Sequence, residues 1–140
     1  MTPEQRFSAT VRKAILGAGG DVVQLLDAGV PGPSDIIIEW YTRRGDYRAS
    51  WVEIKVDAPL RPEQRWFLRD RYARFGNAFL VRQDLKAHKV FLWRGCDVPL
   101  FSGMPNRAQA LWEGGRFNAA QALLHMAACK HTCAESRTVF

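Results

Sequence analysis

Glu53 and Lys55 stand two apart in an apolar run, Trp51-Val52-Glu53-Ile54-Lys55-Val56, as the solvent-facing pair of an ordinary amphipathic strand or as groups that do chemistry. A strand sends successive side chains to opposite faces, so these two share one face while Val52, Ile54 and Val56 take the other. Upstream, Asp35 sits where the Gly/Pro turn Gly29-Val30-Pro31-Gly32-Pro33-Ser34 enters a second apolar run, Ile36-Ile37-Ile38. If the two runs pair as a hairpin, Asp35 and Glu53 converge. Two carboxylates about 4 Å apart repel by roughly 4 kcal/mol at an effective dielectric near 20. Such a pair requires a proton or a cation, and Lys55 alone offers one positive charge.

The elements that would position these residues follow from periodicity and punctuation. Thr2-Pro3-Glu4-Gln5 reads as a helix start, with Thr2 as N-cap, Pro3 in the first helical position and Gln5 completing a capping box. Phe7, Val11, Ile15 and Ala18 then recur at helical spacing until Gly17, Gly19 and Gly20. Glu4 lies on that stripe, seven residues before Val11, and so points from the first turn toward the covered side. On its own it is also an ordinary first-turn acid favoured by the helix dipole. Asp21 to Leu26 reads as a strand, Ile36 to Ile38 as a central one, and Arg43-Arg44-Gly45-Asp46 as the turn into a strand from Tyr47 to Val56. Pro62 opens a helix through Phe75, with Gln64, Phe67, Leu68, Tyr72 and Phe75 on one stripe and Arg61, Arg65, Arg69 and Arg74 largely off it. Ala78 to Arg82 and Val90 to Arg94 are two further strands. Ala108 to Trp112 suggests a short helix, and Asn118 caps another over Ala119 to His131.

This order predicts an α/β protein with a mixed central sheet flanked by helices and C-terminal helical additions. With 140 residues and 47% hydrophobic composition, one domain is expected, its core over about 2–94 and a helical extension over about 95–140. No run has the length of a membrane span, and the first residues lack the apolar stretch of a secretory signal, so a cytoplasmic protein is expected. Three cysteines, Cys96, Cys129 and Cys133, are too few and odd in number for a disulfide scaffold. The net charge of +6, mostly from arginine, favours a polyanionic partner.

The series Asp35, Glu53-Ile54-Lys55 and Gln64, laid over a helix, three strands, a helix and two strands, resembles the PD-(D/E)xK nuclease superfamily. It is most similar to the VRR-NUC and phage-type Holliday junction resolvase branch, over roughly Thr2 to Arg94. The resemblance implies a restriction-endonuclease-like core of order αβββαββ. It also implies a catalytic set of Asp35, Glu53, Lys55, Gln64 and Glu4, in which Asp35, Glu53, Glu4 and the main-chain carbonyl of Ile54 hold Mg²⁺, or Mn²⁺ in its place. Leu60-Arg61-Pro62-Glu63-Gln64 matches the family's helix start and makes Gln64 the expected polar partner of the lysine. Ser34 replaces the proline of the family name, and Arg61 replaces the usual capping serine.

The chemistry fits those residue types. A phosphodiester resists hydrolysis because hydroxide must approach an anion and a poor leaving group must depart; a hard cation in an oxygen cage helps both. The expected activity is metal-dependent cleavage of DNA by a homodimer, on branched DNA by family likeness, with Arg43, Arg44, Arg61, Arg65 and Arg69 tracking phosphates. The rival expectations are a non-catalytic nucleic-acid-binding module of the same fold, or a nuclease acting on RNA or linear DNA. His125, Cys129 and Cys133 fall at i, i+4 and i+8 and could hold zinc, but without a paired C-x-x-C knuckle they read better as reduced thiols on a packing helix. His88 has no assignment.

Overall fold

The computed structural model describes residues 2–24 and 36–129. Helix α1 (Pro3–Gly17) starts on the expected capping box: the Thr2 hydroxyl accepts from the Gln5 amide at 3.1 Å and the Gln5 side chain accepts from the Thr2 amide at 2.9 Å. Phe7, Val11 and Ile15 are its buried face, each removal from water stabilising the fold by roughly 1.5–3 kcal/mol. Strands β1 (Asp21–Gln24), β2 (Ile36–Tyr41) and β3 (Tyr47–Val56) form an antiparallel meander. Helix α2 (Pro62–Phe75) carries the chain across to β4 (Ala78–Asp84), which lies parallel to β3. Strand β5 (Lys89–Arg94) returns antiparallel.

Together with β6 (Trp112–Gly114) these make one six-stranded mixed sheet in sequence order. Helices α1, α2 and α3 (Ala119–Ala128) complete an α/β architecture. Helix α1 packs on β1 and β3, α2 on β4, and α3 beside α1 and β6. No helix among the described residues is long and apolar enough to cross a membrane.

Two glycines let α2 connect to the sheet. Gly76 ends it in the left-handed region (φ 67°), its amide donating to the Tyr72 carbonyl at 2.8 Å. Gly95 begins a single 3₁₀ turn (Gly95–Asp97) pressed against α2; a Cβ there would fall 2.1 Å from the Leu68 carbonyl oxygen. No side chain fits at that approach.

The region after Gly95 departs from the expected helices. Arg107–Gln109 is one 3₁₀ turn, after which the Leu111 amide donates to the Leu92 carbonyl at 2.8 Å and the chain runs along β5 as β6. An open strand edge outbid the local helical preference of Ala108 to Trp112, a non-local competition that propensity does not register. Asn118 does cap α3, its side chain accepting from the Gln121 amide at 3.1 Å.

Candidate functional site

Residues 52–56 at the C-terminal end of β3 are buried on both faces. The strand alternates as the sequence requires: Val52 and Ile54 enter the core, while Trp51, Glu53 and Lys55 face α2, where the Trp51 and Phe67 rings meet edge to face at 5.1 Å. Glu53 is 1% exposed and Lys55 8%. A carboxylate and an ammonium are thus held where an ordinary strand would place two aliphatic side chains, which costs desolvation and does not favour stability.

Their partners define a chain of four polar side chains. Gln64, 4% exposed at the start of α2, donates from Nε2 to Glu53 Oε1 at 2.6 Å. Lys55 Nζ lies 3.8 Å from Glu53 Oε1 and 3.8 Å from Glu4 Oε1, so the first turn of α1 reaches the same spot. Glu4 is the solvent-facing member. Two carboxylates and one ammonium leave this group at a net charge of minus one.

Gln64 is held from both ends of its amide. Arginine has no acceptor with which to cap a helix, so only half of a capping box forms at α2: the Arg61 amide donates to Gln64 Oε1 at 2.9 Å. With the oxygen so engaged, Nε2 must be the atom facing Glu53, which fixes the amide's orientation. Gln64 was expected to partner the lysine; its hydrogen bond goes to Glu53 instead, because the helix start presents the amide to the earlier residue of the strand.

Asp35 lies outside the described residues. Its neighbour in the chain, Ile36, pairs with Val52, one residue from Glu53. The Ile54 side chain is fully buried in the core, which leaves its main chain as the part that can serve a site. Among the described residues no group of three or more His, Cys, Asp and Glu side chains is placed to hold a metal ion. Glu53 and Glu4 contribute two carboxylates around Lys55, hard oxygen donors that suit Mg²⁺ or Mn²⁺ rather than zinc.

The five arginines expected to follow phosphates divide three ways. Arg61 is exposed beside the site and pairs with Glu63 at 3.4 Å. Arg43 and Arg44 are exposed in the β2–β3 turn, eight strand residues from Lys55, about 26 Å away at 3.3 Å per residue. Arg65 and Arg69 correct the expectation, because both turn inward. Arg65, 3% exposed, donates to the carbonyls of Leu60 (3.3 Å), Pro99 (2.8 Å) and Gly103 (2.7 Å). Arg69 donates to those of Cys96 (3.0 Å) and Val98 (2.8 Å). The segment after β5 covers a second side of α2 and brings carbonyls that lack strand or helix partners; guanidinium forks satisfy them.

Sequence reasoning missed Arg82 and Arg107. Arg82 is opposite Lys55 in the parallel β3–β4 register, on the same face. Its alternation with Asp84 was readable, but no local pattern reveals which strand β4 would join.

Of the residues that could hold zinc, His125 and Cys129 are described. The Cys129 thiol donates to the His125 carbonyl at 3.3 Å, and burial pushes its pKa up, away from the thiolate that a metal needs. His131 and Cys133 lie outside the described residues. Fold and site thus define a mixed α/β protein with a buried acid–lysine–amide cluster at one end of its central strand. No protein-family model matches the chain, and neither a curated protein nor a solved structure matches it significantly.

Proposed function

We propose that this protein is a metal-dependent endonuclease of the PD-(D/E)xK type, built on a restriction-endonuclease-like core and hydrolysing phosphodiester bonds in DNA, with branched DNA as its preferred substrate. One observation carries the reading: Glu53, Lys55, Gln64 and Glu4, drawn from three separate elements, meet at the C-terminal end of β3. An isolated Glu-x-Lys in a strand has no reason to collect a buried amide and a second acid.

Glu53, Glu4 and the Ile54 carbonyl, with Asp35 beside them in this reading, would hold Mg²⁺ or Mn²⁺. Such an ion supplies a bound water of lowered pKa and positive charge at the reacting phosphate. The chain's own groups do the rest. Lys55 donates hydrogen bonds to the attacking water and to a phosphate oxygen as negative charge develops there. Gln64 keeps Glu53 from turning, and Glu4 balances the ammonium from the open side. As the bond from phosphorus to the water oxygen forms, that water gives up a proton to solvent and the bond to the leaving sugar oxygen breaks, the departing oxygen taking up a proton from solvent.

Cutting both strands of a branched substrate calls for two such sites, and a two-fold pair of chains provides them. Helix α3, which leaves Leu124 exposed, is the surface we assign to that pairing. The test is a panel of labelled substrates with Mg²⁺ and with EDTA: four-way junction, flap, plain duplex, single strand and RNA. Mg²⁺-dependent cutting of the junction above the duplex is the expected result. Equal cutting of both would remove the branched-DNA preference alone, and binding without cutting of any substrate would favour a non-catalytic module.

A further inference from the structure

Beyond Lys55 the sheet opens into a groove whose walls are charged. Asp57, Arg82, Asp84, Lys86 and Arg107 line it. It lies at the C-terminal ends of the two parallel strands, where α/β sheets characteristically bind ligands. Arg82 is the register partner of Lys55 on the neighbouring strand, so the groove adjoins the cluster just described at about one strand spacing, ~4.8 Å.

Two features suit it to an anion. Arg107 is fixed from below and behind: its guanidinium donates to Asp84 Oδ2 at 2.6 Å and lies 5.2 Å from the centre of the Phe91 ring, while the side chain stays 60% exposed. Asp84 itself is spoken for, its other oxygen accepting from the Ala87 amide at 3.0 Å. Arg82 is different. Its nearest carboxylate oxygens, on Asp57 and Asp84, are 3.6 and 3.7 Å away, beyond good hydrogen-bond distance, and its buried Nε has no hydrogen-bond partner. Paired loosely with two carboxylates and hydrogen-bonded to neither, the Arg82 guanidinium can turn its outer nitrogens to a tetrahedral oxyanion.

We propose that this groove is a second phosphate subsite, in which Arg82 and Arg107, with Lys86 at the rim, hold a phosphodiester neighbouring the one that is cut. The proposal rests on the nuclease reading for its substrate class. It also assigns Asp57 an opposing role. Asp57 follows β3 with a left-handed backbone (φ 55°) and is the groove's carboxylate facing solvent, so it repels a bound strand and limits affinity. Asparagine tolerates that backbone conformation, so Asp57→Asn removes the charge without strain.

Fluorescence anisotropy of labelled single-stranded and duplex DNA, titrated with the full chain in EDTA at several salt concentrations, tests the subsite without requiring cleavage. Arg107→Ala and Lys86→Ala alter exposed side chains; Asp84 keeps its hydrogen bond from the Ala87 amide when Arg107 is shortened, and a melting curve checks that each variant folds. Each should lower the steepness of log affinity against log salt by about 0.7–0.9, and Asp57→Asn should tighten binding. Unchanged salt slopes in both cation variants, or weaker binding by Asp57→Asn, would overturn the proposal. If wild-type protein fails to cut in Mg²⁺ while the slopes shift as described, the subsite stands and the nuclease reading falls. If it cuts and the slopes do not move, the subsite alone is wrong.

Discussion

Gln64 and Arg65 are neighbours in the chain, both buried in the first turns of α2, and they do opposite kinds of work. Arg65 ends on carbonyls at hydrogen-bond distance, and its charge is consumed in tying α2 to the segment after β5. Gln64 ends on a carboxylate that is itself 3.8 Å from an ammonium, which is 3.8 Å from a second carboxylate. In the first cluster the Arg65 guanidinium is tied by three hydrogen bonds to main-chain carbonyls. The second leaves loose ion pairs opening to solvent at Glu4. Burial of charge does not by itself mark a site; the nuclease proposal rests on burial with slack in the contacts at an open end of the sheet.

The strongest way to break this contrast is to neutralise one member of each cluster and compare activity with stability. Glu53→Gln keeps shape and an acceptor for Gln64 but removes the charge. Cleavage should fall by about 10³-fold while the melting temperature falls less than in Arg65→Met, since Lys55 keeps Glu4 as a counter-ion when Glu53 loses its charge. Arg65→Met should do the reverse. It strands buried carbonyls, at a cost of about 3 kcal/mol, or a melting temperature lower by ~10 °C, while cleavage by the folded fraction at 10 °C stays near wild type. Rate measurements paired with calorimetry decide both. A stable Arg65→Met with lost DNA affinity would return Arg65 to the phosphate-binding role that its type first suggested.

That initial assignment shows where legibility stopped. Strand alternation put Glu53 and Lys55 on one face, the capping pattern placed Glu4 at the start of α1, and Pro62 to Gly76 delimited α2 to the residue. All of these are local rules. What sequence did not disclose depends on distant partners. Arg65 and Arg69 look like solvated helix arginines until residues 95–103 fold over them. Trp112 to Gly114 becomes a strand only because β5 offers an unpaired edge, and Arg82 joins the groove only through a parallel register with β3. Arg43 and Arg44 were readable as exposed but not as distant from the acids. Asp35, the first residue of the expected set, falls outside the described residues and stands on the sequence alone.

A smaller effect sharpens the Gln64 side of the contrast. Gln64→Leu fills the same volume but frees Glu53 to turn and leaves the Arg61 amide unpaired. If Gln64 positions Glu53, the Mn²⁺ concentration giving half-maximal cleavage should rise on the order of tenfold, with Gln64→Glu failing to restore it because two carboxylates would then oppose each other. A purely structural Gln64 would lower melting temperature and leave that midpoint where it was.

The smallest expected effect concerns Asp84, whose closed contacts with Ala87 and Arg107 resemble those of Arg65 although it borders the open groove. The hydrogen bond from the Ala87 amide, with Arg82 and Arg107 beside it, holds its carboxyl below the usual carboxylate range. A carboxyl whose pKa is lower in the folded state stabilises the fold above its unfolded value, about 3.9, and loses that contribution as pH falls through the folded value. Urea midpoints measured from pH 5 down to pH 2 should therefore drop less steeply for Asp84→Asn than for wild type, with the two curves parallel above pH 5. Identical slopes in acid would mean that Asp84 contributes nothing on folding, and that Arg107 is oriented by the Phe91 ring alone.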